Sequence, residues 1–195
     1  MGSYLLVFLL SAGATALLMP GLSVLARRWR AVDNTRDPPV PRVGGPALAL
    51  GAGVGLALMG LVFTPTGNTL LASSDSVGPV LAGGMAILVL GVLDDIRPLG
   101  APLKLAAQVV VSLAVWAAGV RVELVSLPFG SADLGSLPGM AVTVLWLIGV
   151  TNAFNLLDGA DGVAAGSAFF SSAAVFLMSV TLGHPGIGLV AAGLA

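Results

Sequence analysis

Two stretches of this chain concentrate carboxylates, amides and cations at spacings that suit phosphate chemistry. In the first, Gly91-Val-Leu-Asp94-Asp95-Ile-Arg97-Pro98-Leu-Gly100 leads into Lys104 and Gln108. Adjacent carboxylates at the end of a helix face the negative pole of its dipole and repel each other. A positive partner has to offset this, and a divalent cation bound together with substrate phosphates would do so. The plain alternative is a solvated turn in which the acids pair with Arg97. In the second stretch, Asn152-Ala-Phe-Asn155-Leu-Leu-Asp158-Gly159-Ala-Asp161-Gly162, the two asparagines lie one helical turn apart at the end of an otherwise apolar run. Asp158 follows one turn further along the same side. Buried amides in such surroundings are costly unless paired. Gly159 and Gly162 allow a tight turn and a close approach of backbone to a ligand. The set suits a Mg²⁺–diphosphate group; the alternative is a polar helix–helix contact that ends in a glycine turn.

A third stretch, Asp33-Asn-Thr-Arg36-Asp37-Pro38-Pro39-Val-Pro41-Arg42-Val-Gly44-Gly45-Pro46, is held extended by its prolines. Gly44 and Gly45 then open a helix whose first amides could hold an anion. Arg36 and Arg42 add charge for phosphate or anionic lipid, or else serve only as topology anchors. Lys104, Gln108 and Ser112 recur every four residues and form one polar stripe on a helix. His184, the sole histidine, falls in a Gly-His-Pro-Gly turn on the other side from the acids and reads as a loop residue.

The elements that must carry these groups are membrane helices. Of 195 residues, 57% are hydrophobic and 9% charged, and the mean hydropathy is +1.04. A soluble domain carries roughly a quarter charged residues, so the bilayer is the expected solvent. The net charge of −1 gives no sign of nucleic-acid binding, and without cysteine there are no disulfides or thiolate metal sites. Apolar runs of spanning length predict helices near 4–26, 45–63, 79–93, 103–120, 138–157 and 163–182, with a partial seventh after the 183–186 turn. The expected fold is therefore an all-α polytopic bundle, a single membrane domain over 1–195. Residues 120–127 alternate enough for a short strand or hairpin outside the membrane.

Seven of the eight cations, Arg27, Arg28, Arg30, Arg36, Arg42, Arg97 and Lys104, fall in or beside the first and third connections, against Arg121 on the other side. The positive-inside rule places those connections in the cytoplasm and the N-terminus outside. Asp94, Asp95, Asp158 and Asp161 then share the cytoplasmic face.

Taken in order, Asp33…Arg36…Pro41-Arg42-Val-Gly44-Gly45, Asp94-Asp95…Lys104…Gln108 and Asn152…Asn155…Asp158-Gly-Ala-Asp161-Gly162 resemble the polyprenyl-phosphate hexosamine-1-phosphate transferases, the MraY/WecA-like glycosyltransferase family 4. The resemblance runs from the first connection to the sixth helix. It implies transfer of a sugar 1-phosphate from a UDP-sugar to undecaprenyl or a related polyprenyl phosphate at the inner face of the plasma membrane. UMP is released, Mg²⁺ or Mn²⁺ is required, and the step opens cell-envelope glycan synthesis. The Pro-Arg-Val-Gly-Gly form of the first loop looks more like the GlcNAc-1-phosphate branch.

The resemblance assigns Asp94, Asp95, Asp158 and Lys104 to catalysis, with Asp94, Asp95 and Asp158 on the metal. It assigns Asn152, Asn155, Asp161, Gly44, Gly45, Arg42 and Gln108 to substrates. A homodimer is compatible with it. The first loop departs from the family pattern: Arg36 runs directly into Asp37-Pro38-Pro39, without the longer insert bearing a basic residue and a histidine. Members of the family have about ten or eleven spans and further metal-binding and histidine motifs, so this chain is expected to be the N-terminal part of the fold. Two other readings are a small transporter or channel, and an inactive scaffold of the transferase fold. A through-path would need polar residues deep in several helices, whereas here the acids cluster at one face.

Overall fold

The computed structural model describes residues 2–33, 38–128, 130–157 and 163–195. Helix α1 (Gly2–Trp29) carries Arg27 and Arg28 in its last turn, where cations complement the dipole. Arg30 closes it in the left-handed region (φ 60°), and Ala31 N–H donates back to the Ala26 carbonyl at 2.9 Å. The chain then reverses. The first connection, expected to be simply extended, also pairs with itself: β1 (Val32–Asp33) lies antiparallel to β2 (Val40–Pro41). Arg42 N–H donates to the Ala31 carbonyl at 3.0 Å, which fixes the Arg42 backbone beside the end of α1.

Helix α2 (Gly44–Val62) returns alongside α1, and small residues let the two come close. A Cβ on Gly51 would lie 2.8 Å from Thr15 N and 2.9 Å from Ser11 O, and one on Gly55 would lie 2.8 Å from Ser11 N. At the end remote from the arginines, Val7, Met59 and Leu189 form a buried cluster. A second cluster of Ala26, Ala31 and Val43 closes the arginine end and packs against Leu22 and Ile96.

Helix α3 (Thr64–Ala72) occupies a stretch the sequence suggested as a loop. Pro65 sits in its first turn, where no N–H is needed. A Cβ on Gly67 would lie 2.6 Å from Gly60 O, so tertiary packing outweighs the weak helix propensity of its threonines, glycine and asparagine. Helix α4 (Ser74–Ile96) begins before Pro79, which lies inside it near the start and forfeits a single backbone bond. A tight turn leads to α5 (Ala101–Ala117), which stops short of the expected Val120 because Gly119 turns the chain with φ 103°.

The strand or hairpin expected over 120–127 is a hairpin lying further along the chain, β3 (Leu124–Leu127) paired with β4 (Gly130–Asp133). Val122 N–H donates to Thr143 Oγ1 at 2.9 Å, tying the hairpin to α6 (Ser136–Leu157). Helix α7 (Val163–Thr181) follows, and α8 (Pro185–Leu194) buries most of its length beside α1 and α2. Among the described residues, α1, α2, α4, α6 and α7 are long and apolar enough to cross a membrane, while α5 and α8 are shorter. The fold is all-α and polytopic, as expected.

The close approach of α1 and α2 gives a stability prediction. Gly51→Leu forces the two backbones apart and should cost roughly 1–3 kcal/mol or more, as overpacked cores do. Gly53→Leu on the same helix, where a Cβ meets nothing within 4 Å, should be close to neutral. Thermal unfolding in detergent compares the two.

Candidate active site at the charged end of the bundle

The Asp94–Asp95 pair sits in the last turn of α4, and the protein supplies a cation to each acid. Lys104 Nζ donates to Asp94 Oδ2 at 2.8 Å, and Arg42 Nη1 donates to Asp95 Oδ1 at 2.9 Å. These partners replace the Arg97 pairing considered from sequence. Asp94 also ends its own turn, because Leu99 N–H donates to its Oδ1 at 2.8 Å. Arg97 N–H closes α4 by donating to the Leu93 carbonyl at 2.8 Å, and Pro98-Leu99-Gly100 then delivers Lys104 on the first turns of α5. The site thus brings together α4, α5 and the loop before α2.

Burial divides the two pairs. Lys104 and Asp94 side chains are 22% and 25% exposed, whereas Arg42 is 50% exposed and Asp95 29%. The Lys104 pair is the sheltered one, and the Arg42 pair opens outward. Asp95 Oδ2 has no hydrogen-bond partner among the described residues. Gly44 and Gly45 begin α2 next to Arg42, the N-cap residue Val43 makes no side-chain hydrogen bond to the helix start, and a Cβ on Gly44 would meet nothing within 4 Å among the described residues.

The polar stripe of α5 faces inward: Gln108 and Ser112 are 2% and 4% exposed. Gln108 meets Asn152 of α6 through Asn152 Nδ2 to Gln108 Oε1 at 2.8 Å and Gln108 Nε2 to Asn152 Oδ1 at 3.5 Å. Asn152 Nδ2 also donates to the Ile148 carbonyl at 2.9 Å. Asn155 is exposed one turn further along α6. Asp158 and Asp161, like Arg36, lie outside the described residues. Groups of three or more metal-ligating side chains are absent among the described residues. His184 caps the start of α8, exposed and remote in topology from the acids.

A feature not legible in the sequence is an apolar notch of about 80 Å³ beside the Arg42–Asp95 pair. Leu22 and Trp29 of α1, Val43 and Pro46 around the start of α2, and Val92 and Ile96 of α4 line it. It arises where three helix ends converge, and no local pattern announces that. Nor did the sequence show that Leu99 N–H would cap Asp94, since this depends on the turn geometry.

Residues 77–195 match the family described as Glycosyl transferase family 4. The chain belongs to that family. Among curated proteins, relatives include the "Probable undecaprenyl-phosphate N-acetylglucosaminyl 1-phosphate transferase" of Bacillus subtilis (strain 168), 31% identical across 90% of this chain and 48% of its own length. The "Decaprenyl-phosphate N-acetylglucosaminephosphotransferase" of Mycolicibacterium smegmatis is 30% identical over 91% of this chain and 45% of its own. The "Phospho-N-acetylmuramoyl-pentapeptide-transferase" of Moorella thermoacetica is 31% identical over 95% of this chain and 62% of its own. The chain spans about half the length of the first two relatives. The family 4 match runs from Val77, inside α4, through α8, and so includes the acidic pair and Lys104.

The two ion pairs should behave differently. An exposed pair contributes about 0–1 kcal/mol and is screened by salt. A double-mutant cycle of Arg42→Ala and Asp95→Ala should therefore give a coupling in that range that shrinks in high salt. The Asp94–Lys104 cycle should give a larger, less salt-sensitive coupling, because Asp94 is also held by Leu99 N–H. Unfolding in detergent at two ionic strengths measures both.

Proposed function

We propose that the charged end of this bundle is the transfer site of a polyprenyl-phosphate sugar-1-phosphate transferase, with UDP-GlcNAc as donor. The observation that carries this reading is the Asp94–Asp95 pair held by Lys104 and Arg42 at one end of an apolar bundle, within a chain of glycosyl transferase family 4. The named relatives that act on undecaprenyl or decaprenyl phosphate support the acceptor class and the N-acetylglucosamine donor. The bias of arginines toward this end supports a cytoplasmic site with the N-terminus outside, and the plasma membrane is the proposed location.

In the proposed reaction an oxygen of the lipid phosphate attacks the sugar-bound phosphorus of the donor. The bond from that phosphorus to the bridging oxygen of UMP breaks, and UMP leaves with the electron pair. One phosphoanhydride replaces another, so the protein's task is positioning and charge stabilisation. Lys104 has three N–H donors, one of which serves Asp94, and can turn the others to phosphate oxygens. Arg42, half exposed, keeps guanidinium donors beyond the one on Asp95. Gly44 and Gly45 offer backbone amides at a helix start, and Gly44 has room beside its Cα for close approach of a ligand. Asn155 is exposed toward the same end and would contact the donor, as would Asp161.

An all-oxygen donor set of two carboxylates fits Mg²⁺, which is commonly bound by one or two carboxylates plus substrate phosphates. Asp95 Oδ2 is without a partner among the described residues, consistent with that use. Asp94 and Asp95, with Asp158, would hold the ion, which when bound would neutralise charge on the diphosphate.

Membranes containing the protein should form lipid-linked product from labelled UDP-GlcNAc and polyprenyl phosphate when Mg²⁺ is present. Asp94→Asn, Asp95→Asn and Asp158→Asn should each abolish product while leaving the protein inserted; turnover retained in all three would remove these residues from the site. For orientation, Ile96→Cys beside Asp95 should react only with reagents that reach the cytoplasm. Labelling by an impermeant reagent from outside would reverse the topology.

A further inference from the structure

The amide pair joining α5 to α6 stands apart from the groups that face a substrate. A primary amide has two N–H donors, and Asn152 spends both, on Gln108 Oε1 at 2.8 Å and the Ile148 carbonyl at 2.9 Å. Gln108 is 2% exposed and points its own amide back at Asn152 Oδ1 at 3.5 Å. Asn152 therefore has no donor left for a nucleotide, and Gln108 is not accessible to one.

What the pair can do follows from where it sits. Helix α5 runs away from the charged end and α6 runs toward it. Lys104 lies four residues before Gln108, and Asn155 three residues after Asn152. At 1.5 Å per residue these offsets are about 6 Å and about 4.5 Å, both toward the charged end. Lys104, with Asp94 bound to it, and Asn155 therefore stand nearly level, one turn beyond the pair. The rest of the α5 and α6 sequences is largely apolar, and helices in lipid gain little from apolar burial, so an interhelical hydrogen bond is a strong local constraint between them. A reciprocal amide contact has one register.

We propose that Gln108 and Asn152 are positioning residues whose reciprocal amide contact sets the axial register of α5 against α6, and so holds the Asp94–Lys104 pair level with Asn155. This rests on the phosphate-transfer reading for its consequence, though not for the contact itself. A one-residue slip moves Lys104 by about 1.5 Å, and a misplacement of about 1 Å can cost on the order of a hundredfold in rate.

The test uses the full-length protein in membranes and two readouts. For register, Leu103→Cys on α5 and Leu156→Cys on α6 carry spin labels; both positions are exposed, and this chain has no cysteine of its own. Asn152→Leu should shift or broaden the label–label distance, and the swapped pair Gln108→Asn with Asn152→Gln, which conserves the combined reach, should restore it. Asn152→Ser, too short to reach Gln108, repeats the measurement if Asn152→Leu does not insert.

For transfer, Asn152→Leu should lower kcat by about tenfold or more with KM for UDP-GlcNAc within about twofold, and the swap should recover most of kcat. A raised KM at unchanged distance would make Asn152 a substrate ligand and overturn the proposal. A swap that rescues neither readout would overturn it as well. If the wild-type protein transfers nothing, the transferase reading fails, and the distance measurement still decides whether the pair sets register.

Discussion

Two like charges placed side by side at the end of an apolar helix repel each other and oppose the helix dipole, and the charged end is organised around offsetting that cost. Lys104 answers Asp94 and Arg42 answers Asp95, and the two cations come from opposite directions in the chain. Each pairing imposes a demand on the fold. Lys104 can reach Asp94 only because Pro98-Leu99-Gly100 reverses the chain within a few residues, and Asp94 itself stabilises that reversal by accepting the Leu99 N–H. Arg42 can reach Asp95 only because its backbone is fastened to Ala31, at the end of α1. The acidic pair therefore binds three elements to one another.

Further down the bundle, small and polar residues take over the work that a soluble core gives to large apolar ones. In lipid, helices gain little from apolar burial and associate through close packing and hydrogen bonds. Gly51 and Gly55 bring α2 against Ser11 and Thr15 of α1, and Gly67 brings α3 against Gly60. Gln108 and Asn152 link α5 to α6 at a level where an unpaired amide would be costly. Many large apolar side chains remain on the outside, among them Leu17, Leu145 and Phe170, as expected where the solvent is hydrocarbon.

The sequence made much of this legible because membrane helices declare themselves by length and composition. The long apolar helices, a strand near residues 124–127 and the gathering of charge at one end could all be read from it. So could Asp94, Asp95, Lys104 and Arg42 as candidates, though not who pairs with whom: Arg97 is nearer in sequence to the acids than Arg42 and was the natural partner to consider. Helix α3 escaped because its Thr64-Pro-Thr-Gly-Asn stretch has loop composition and is held helical by contact with Gly60. The start of α4 escaped because Pro79 reads as a boundary, yet a proline near a helix start removes only one backbone bond. Asn152 and Gln108 were legible as polar residues facing the bundle, and their mutual contact emerges only when two helices are set side by side. Asp158 and Asp161 rest on the sequence, since they lie outside the described residues.

If the charged end is the proposed transfer site, the acceptor's phosphate is received where Lys104, Arg42 and the acidic pair converge. The most direct measurement is photo-crosslinking in membranes with a short-chain polyprenyl phosphate that carries a photoreactive group next to its phosphate, followed by mass-spectrometric mapping of the labelled peptides. The account predicts label within residues 38–46 or 92–104, competed by unlabelled polyprenyl phosphate and weakened by Lys104→Met. Label confined to the hairpin end, around residues 120–136, and unaffected by Lys104→Met would contradict it.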